Sequence, residues 1–106
     1  MQASHEHGVD GFEWGEWNRE KNWSKHKTGP EEVEEVFFND PLFVYRDAKH
    51  SVREGRYYCL GRTNMFRLLY VVFTLRLNKI RVISARDMSK RERIEYEKGT
   101  KKNSKV

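Results

Sequence analysis

The chain has one cysteine, two prolines and no apolar run approaching the roughly 20 residues that span a bilayer. Cys59 alone permits no internal disulfide and points to a reducing compartment, so stability must come from a packed core. The N-terminus lacks the apolar core of a signal peptide, and a cytoplasmic location is expected. The four histidines show no paired ligand spacing and Cys59 has no companion thiol; His5, Glu6 and His7 come nearest to a metal set, and no metal or other cofactor is expected. No glycine-rich phosphate loop occurs, and Gly61, within a strand-like run, reads instead as a close-packing position. Cys59 falls on a strand face expected to be buried, which argues against a thiol nucleophile. Acid is scarce where base is dense. From Arg53 to Arg86, seven arginines and one lysine stand against Glu54, a charge of +7; the residues before sum to −5 and those after to +3.

What is present suits one α+β domain of 106 residues with a modest core. Thirteen per cent aromatics supply large buried areas and argue against disorder. Residues 1–11 read as a flexible leader, 12–98 as the domain and 99–106 as a basic tail. A first helix is expected over Gly15–Lys27, with Trp14, Trp17 and Trp23 available to pack, and a second from Pro30. Proline suits the first helical position, Glu31 and Glu32 favour the positive end of the dipole, and Val33, Val36 and Phe37 form an apolar stripe. Beyond Pro41 the period changes. Leu42–Arg46, Arg56–Arg62, Leu68–Leu75 and Lys79–Ala85 are rich in β-branched and aromatic residues, and their connections predict an antiparallel sheet of about four strands. Ser89 with Glu92 three residues on is a capping box, opening a C-terminal helix with only Ile94 and Tyr96 to bury and Gly99 to end it.

Arginine on a sheet offers fixed, forked donors suited to phosphate, and a basic sheet in a small domain points to a nucleic-acid backbone. Arg67, Arg76 and Lys79 can equally be solvated strand ends. Metal-free RNA cleavage needs help in deprotonating the 2′-OH, positive charge at the crowded phosphate and a donor for the 5′-oxygen. Arg56, Arg62, Arg81 and Arg86 can supply the charge; His26, His50, Glu54 and Tyr96 are the candidate proton carriers. Lys25 disfavours a charged imidazolium on His26, although that histidine also fits a packing role at a helix end. Arg81 and Arg86 differ in parity, so they share a face only if a bulge intervenes or Arg86 lies beyond the strand.

In order and spacing, several short segments together resemble the BrnT family of toxins from type II toxin–antitoxin modules. They are Phe12-Glu13-Trp14, Asn22, Lys25-His26, Glu31-Glu32-Val33, Val36 through Pro41, Glu54-Gly55-Arg56, Leu60-Gly61-Arg62, the Leu68–Thr74 strand, and Ile83 through Arg86 leading to Lys90-Arg91-Glu92-Arg93 and Tyr96. The chain departs from the pattern at Lys27, where glycine is usual, and at Gly15 and Asn18. The resemblance implies a RelE-like fold with two N-terminal helices on an antiparallel sheet and a C-terminal helix. It also implies RNA cleavage that stops translation, neutralised by a BrnA-type antitoxin, with operator DNA reached only through that antitoxin. His26, Arg56, Arg62 and Arg86 match family motif positions and carry the catalytic expectation. Lys25, Arg81, Lys90, Arg91 and Arg93 join them as RNA-binding candidates from charge and placement. The rival reading is a non-catalytic basic module that binds nucleic acid or docks an acidic partner.

Overall fold

The computed structural model describes residues 11–14, 28–47, 49 and 55–104. The expected first helix, residues 1–10 of the leader, Lys25, His26, His50, Arg53 and Glu54 lie outside the described residues, as does most of the Asp47–Gly55 link, while Gly11 begins a strand.

Alternating β-branched and aromatic residues after Pro41 build the predicted strands with small changes of boundary: β2 (Phe43–Arg46), β3 (Arg56–Arg62), β4 (Leu68–Arg76) and β5 (Lys79–Asp87). A short strand ahead of them, β1 (Gly11–Glu13), corrects the expected four-stranded sheet to five. The order is β1-β5-β4-β3-β2, and β1 runs parallel to β5 while the other neighbours are antiparallel, so the sheet is mixed. Three residues are too short to show a period, which is why β1 escaped sequence reading.

The helices lie on opposite faces. α1 (Pro30–Val36) starts at the proline and carries Glu31 and Glu32 in its first turn. It buries Val33 and Val36 against Cys59, Leu69, Val71, Phe73, Ile80, Val82 and Ala85. β3 makes room for it at Gly61: a Cβ there would stand 2.5 Å from Val36 Cγ1 and 3.1 Å from Leu42 Cδ1. Arg67 clasps the same region. Its guanidinium binds Asp87 Oδ1 and Glu32 Oε1, each at 2.8 Å, so it is a tie between α1 and the sheet and not a solvated strand end.

α2 (Lys90–Ser104) covers part of the other face, where Leu60, Met88 and Tyr96 form a second buried group with Phe43, Tyr45, Leu68 and Tyr70 around it. The capping box forms as expected: Ser89 N–H donates to Glu92 Oε1 at 2.8 Å and Glu92 N–H to Ser89 Oγ at 3.2 Å. Two expectations fail here. Ile94 is exposed, leaving Tyr96 as the helix's main anchor. Gly99 does not end the helix. It sits inside it because Phe43 Cζ would meet a Cβ at 2.6 Å, so close packing and not a left-handed turn selects glycine.

The β4–β5 turn holds a residue out of keeping with its backbone. Leu77 and Asn78 have φ of 52° and 64° between the paired Arg76 and Lys79, the shape of a type I′ turn. Leucine gains nothing there, being 88% exposed. Leu77→Asn should therefore stabilise the fold by about 0.5–1 kcal/mol, since asparagine tolerates the left-handed region. Thermal melting should show a Tm higher by a few degrees; an unchanged or lower Tm would mean the turn is not strained by leucine.

Candidate functional site

The register of β5 decides which arginines share a face. Val72 pairs with Ser84, but the next residue, Phe73, pairs with Val82, so Ile83 is an extra residue bulged out of the ladder. The bulge reverses alternation between Arg81 and Arg86 and returns both to the α2 side, with Arg86 opposite Tyr70 and Arg81 opposite Thr74. Arg56, also opposite Thr74, and Arg62, opposite Leu68, lie on that face too. One face of the sheet therefore collects Arg56, Arg62, Arg81 and Arg86.

They form two groups. Arg56 and Arg81 flank Thr74, whose buried Oγ1 has no hydrogen-bond partner, with Glu13 next across the sheet from Arg81. Arg62 and Arg86 lie toward α2. At roughly 3.3 Å per residue, the four-residue step from Thr74 to Tyr70 separates the two groups by about 13 Å. Between them runs a ladder of tyrosines: Tyr45 stacks on Tyr58 at 5.0 Å between centroids, and Tyr58 meets Tyr70 at 5.4 Å.

Arg86 ends that ladder. Its guanidinium lies 4.0 Å over the Tyr70 ring. Nη1 donates to Glu92 Oε1 at 2.9 Å and to Asp87 O at 3.0 Å, and Nη2 donates to Glu92 Oε2 at 3.0 Å. Burial alone would raise the Glu92 pKa, but hydrogen bonds from Arg86 and from the Ser89 backbone hold it below the usual carboxylate range. The Glu92 interaction likewise outweighs burial at Arg86 and raises its pKa. A depressed carboxylate stabilises the fold above its ordinary pKa, and that contribution is lost as pH falls through the lower folded value. At neutral pH the pair is intact.

Arg62 is positioned more lightly, with Nε donating to Asp40 O at 2.9 Å and its guanidinium 4.6 Å over the Phe66 ring. Lys90, Arg91 and Arg93 are exposed near the start of α2, beside this group. Tyr96, a candidate proton carrier by sequence, is removed from that role. Burial pushes its phenol up, with Arg62 opposing and Asp40 adding, and its Oη donates to Pro41 O at 2.8 Å. Cys59 is fully buried and its thiol is pushed up to about 12, chiefly by desolvation, so it is inert. Among the described residues, no group of three or more His, Cys, Asp or Glu side chains could hold a metal ion, and no helix is long and apolar enough to cross a membrane.

Sequence reasoning identified Glu92 only as a capping residue and missed its grip on Arg86. The signal was present, since a basic residue three places before a capping box lies within reach of the box's acid. Tyr70 was hidden inside an apolar run; only the register shows that it backs Arg86.

An α+β domain with one arginine-rich face of a five-stranded mixed sheet is the class that fold and site define. Its fold is similar to that of the Brucella abortus ribonuclease toxin BrnT, known from a crystal structure at 1.1 Å: the TM-score is 0.59 at 21% identity, over 77% of this chain and 100% of that one. No curated protein matches the sequence. Residues 14–92 match the family described as ribonuclease toxin, BrnT, of type II toxin–antitoxin system. The chain belongs to the BrnT family.

Proposed function

We propose that this chain is a metal-independent endoribonuclease that halts translation and is neutralised by a BrnA-type antitoxin, through which alone it reaches operator DNA. The observation that carries the reading is the bulge at Ile83, which brings Arg81 and Arg86 onto the face that also holds Arg56 and Arg62. A single-stranded RNA laid across that face meets cations along its backbone. The reaction is attack of a 2′-OH on the adjacent phosphorus, giving a 2′,3′-cyclic phosphate and a free 5′-OH. Arg86 and Arg62 stabilise the crowded phosphate, Arg56, Arg81, Lys25, Lys90, Arg91 and Arg93 hold neighbouring phosphates, and His26 moves the proton. The setting is the cytoplasm, where RNA and antitoxin meet it.

The test is purified protein on RNA, with 5′ ends mapped, in EDTA and across a salt series. Cleavage should persist in EDTA, be suppressed by the antitoxin encoded beside the toxin, and weaken steeply as salt rises, because several phosphate contacts release counterions. Loss of cleavage in EDTA that magnesium restores would overturn the metal-free mechanism. Salt-sensitive binding without new 5′ ends would favour the non-catalytic module.

A further inference from the structure

An arginine has five N–H donors in a fixed planar fork, with one edge formed by Nη1 and Nη2 and another by Nε and Nη2. Glu92 takes the first edge of Arg86 with both carboxylate oxygens, and Asp87 O takes the remaining Nη1 hydrogen. The second edge, Nε–H with the outer Nη2–H, has no partner among the described residues. Tyr70 fixes the plane of the guanidinium from one side. Glu92 is itself held by the Ser89 N–H, so the strut is anchored at the first turn of α2. The Arg86 side chain remains 37% exposed while Glu92 is 21% exposed, which leaves the arginine the more accessible of the two to a ligand.

We infer that Glu92 is a positioning residue for RNA cleavage, holding Arg86 by one edge of its fork so that the other edge meets the scissile phosphate bidentately. The inference rests on the ribonuclease reading above and adds the residue that aims the arginine. Glu92 touches no RNA. Its negative charge costs some attraction for the polyanion, and what it returns is orientation, whose loss through a shift of about 1 Å typically costs on the order of a hundredfold in rate.

The experiment compares Glu92→Gln with wild type in single-turnover cleavage and in binding of the same RNA made non-cleavable by 2′-O-methylation. Glutamine keeps the oxygen that accepts from Ser89 N–H but cannot grip both nitrogens of the fork. The expected result is a cleavage rate lower by about tenfold to a hundredfold, with affinity for the non-cleavable RNA within about threefold of wild type. In an Arg86→Lys background, which has no fork to aim, Glu92→Gln should add little further loss. Ser89→Ala, which weakens the cap but leaves the Arg86 pair, should cleave normally. Should Glu92→Gln not fold, Glu92→Asp, which keeps the charge but withdraws it by one methylene, reads the same split between rate and affinity. Cleavage at the wild-type rate would reduce Glu92 to a cap, and faster cleavage would make it a competitor for Arg86; either overturns the inference and leaves the ribonuclease reading standing. If wild type produces no new RNA ends, that reading falls and takes the inference with it.

Discussion

Arg86→Ala should lower RNA cleavage by about two to three orders of magnitude, the usual cost of losing one preorganised donor at developing charge. Growth arrest on induction should disappear with it. Arg86→Lys should restore only part of the rate, because a point charge can neither take Glu92 by one edge nor offer phosphate the other. The contacts of Arg86 set the structural cost of the truncation. Arg86 pairs with Glu92 and lies over Tyr70, and both side chains of the pair are partly exposed. A screened pair contributes up to about 1 kcal/mol and a cation–π contact a similar amount, so the alanine variant should lose roughly 1–2 kcal/mol of stability and still fold. Urea melts run beside the kinetics separate the two effects. Arg76→Ala, at the exposed end of β4 beside the distal turn, is the control and should cleave normally. A folded Arg86→Ala protein with undiminished cleavage would remove this residue from the site.

Gly61→Ala is expected to be the most damaging of the small substitutions. The added methyl would meet Val36 Cγ1 at 2.5 Å and Leu42 Cδ1 at 3.1 Å, with the backbone Val36 O at 3.4 Å behind them. Val36 is fully buried and, being β-branched on a helix, has one strongly preferred rotamer, so it cannot swing aside. Overpacking of this kind costs about 1–3 kcal/mol, which in a domain of this size lowers Tm by roughly 5–20 °C. Val36→Ala, itself destabilising, should be partly compensating in the Gly61→Ala background, a coupling that a melting cycle over the four proteins would measure. An additive cycle, or a Gly61→Ala protein as stable as wild type, would mean that α1 can move away from β3 at little cost.

Those two residues also show what could and could not be read in advance. Gly61 was legible because a glycine inside an apolar strand has few reasons to be there. The bounds of β3, the proline start of α1 and the Ser89–Glu92 box were legible for the same kind of reason, each being a local signal with a local cause. The face of Arg86 was not. Parity predicts opposite faces for residues five apart, and the bulge that overrides it sits at Ile83, in a run where any residue has strand character. Arg67 was left open between a phosphate contact and a solvated strand end because its partners, Glu32 and Asp87, are 35 and 20 residues away in the chain. Gly99 misled because a helix-ending glycine and one yielding to a neighbouring ring look alike until Phe43 is placed. The pieces of the site were therefore visible as residue types, while their assembly depended on register and on contacts between distant segments.

The parallel pairing of Phe12 with Ile80 joins residues far apart in the chain, and closing a loop of that size costs on the order of 4 kcal/mol. A ribosome makes β1 long before β5, so the first strand must wait for most of the domain to emerge before its neighbour exists. Arg86 follows at the end of β5, and Glu92 follows Arg86. A nascent chain halted before Glu92 already carries Arg56, Arg62 and Arg81 but not the acid inferred above to aim Arg86. On that inference the aimed fork forms only after all five described strands have been made, and chain order itself keeps shorter products from carrying it.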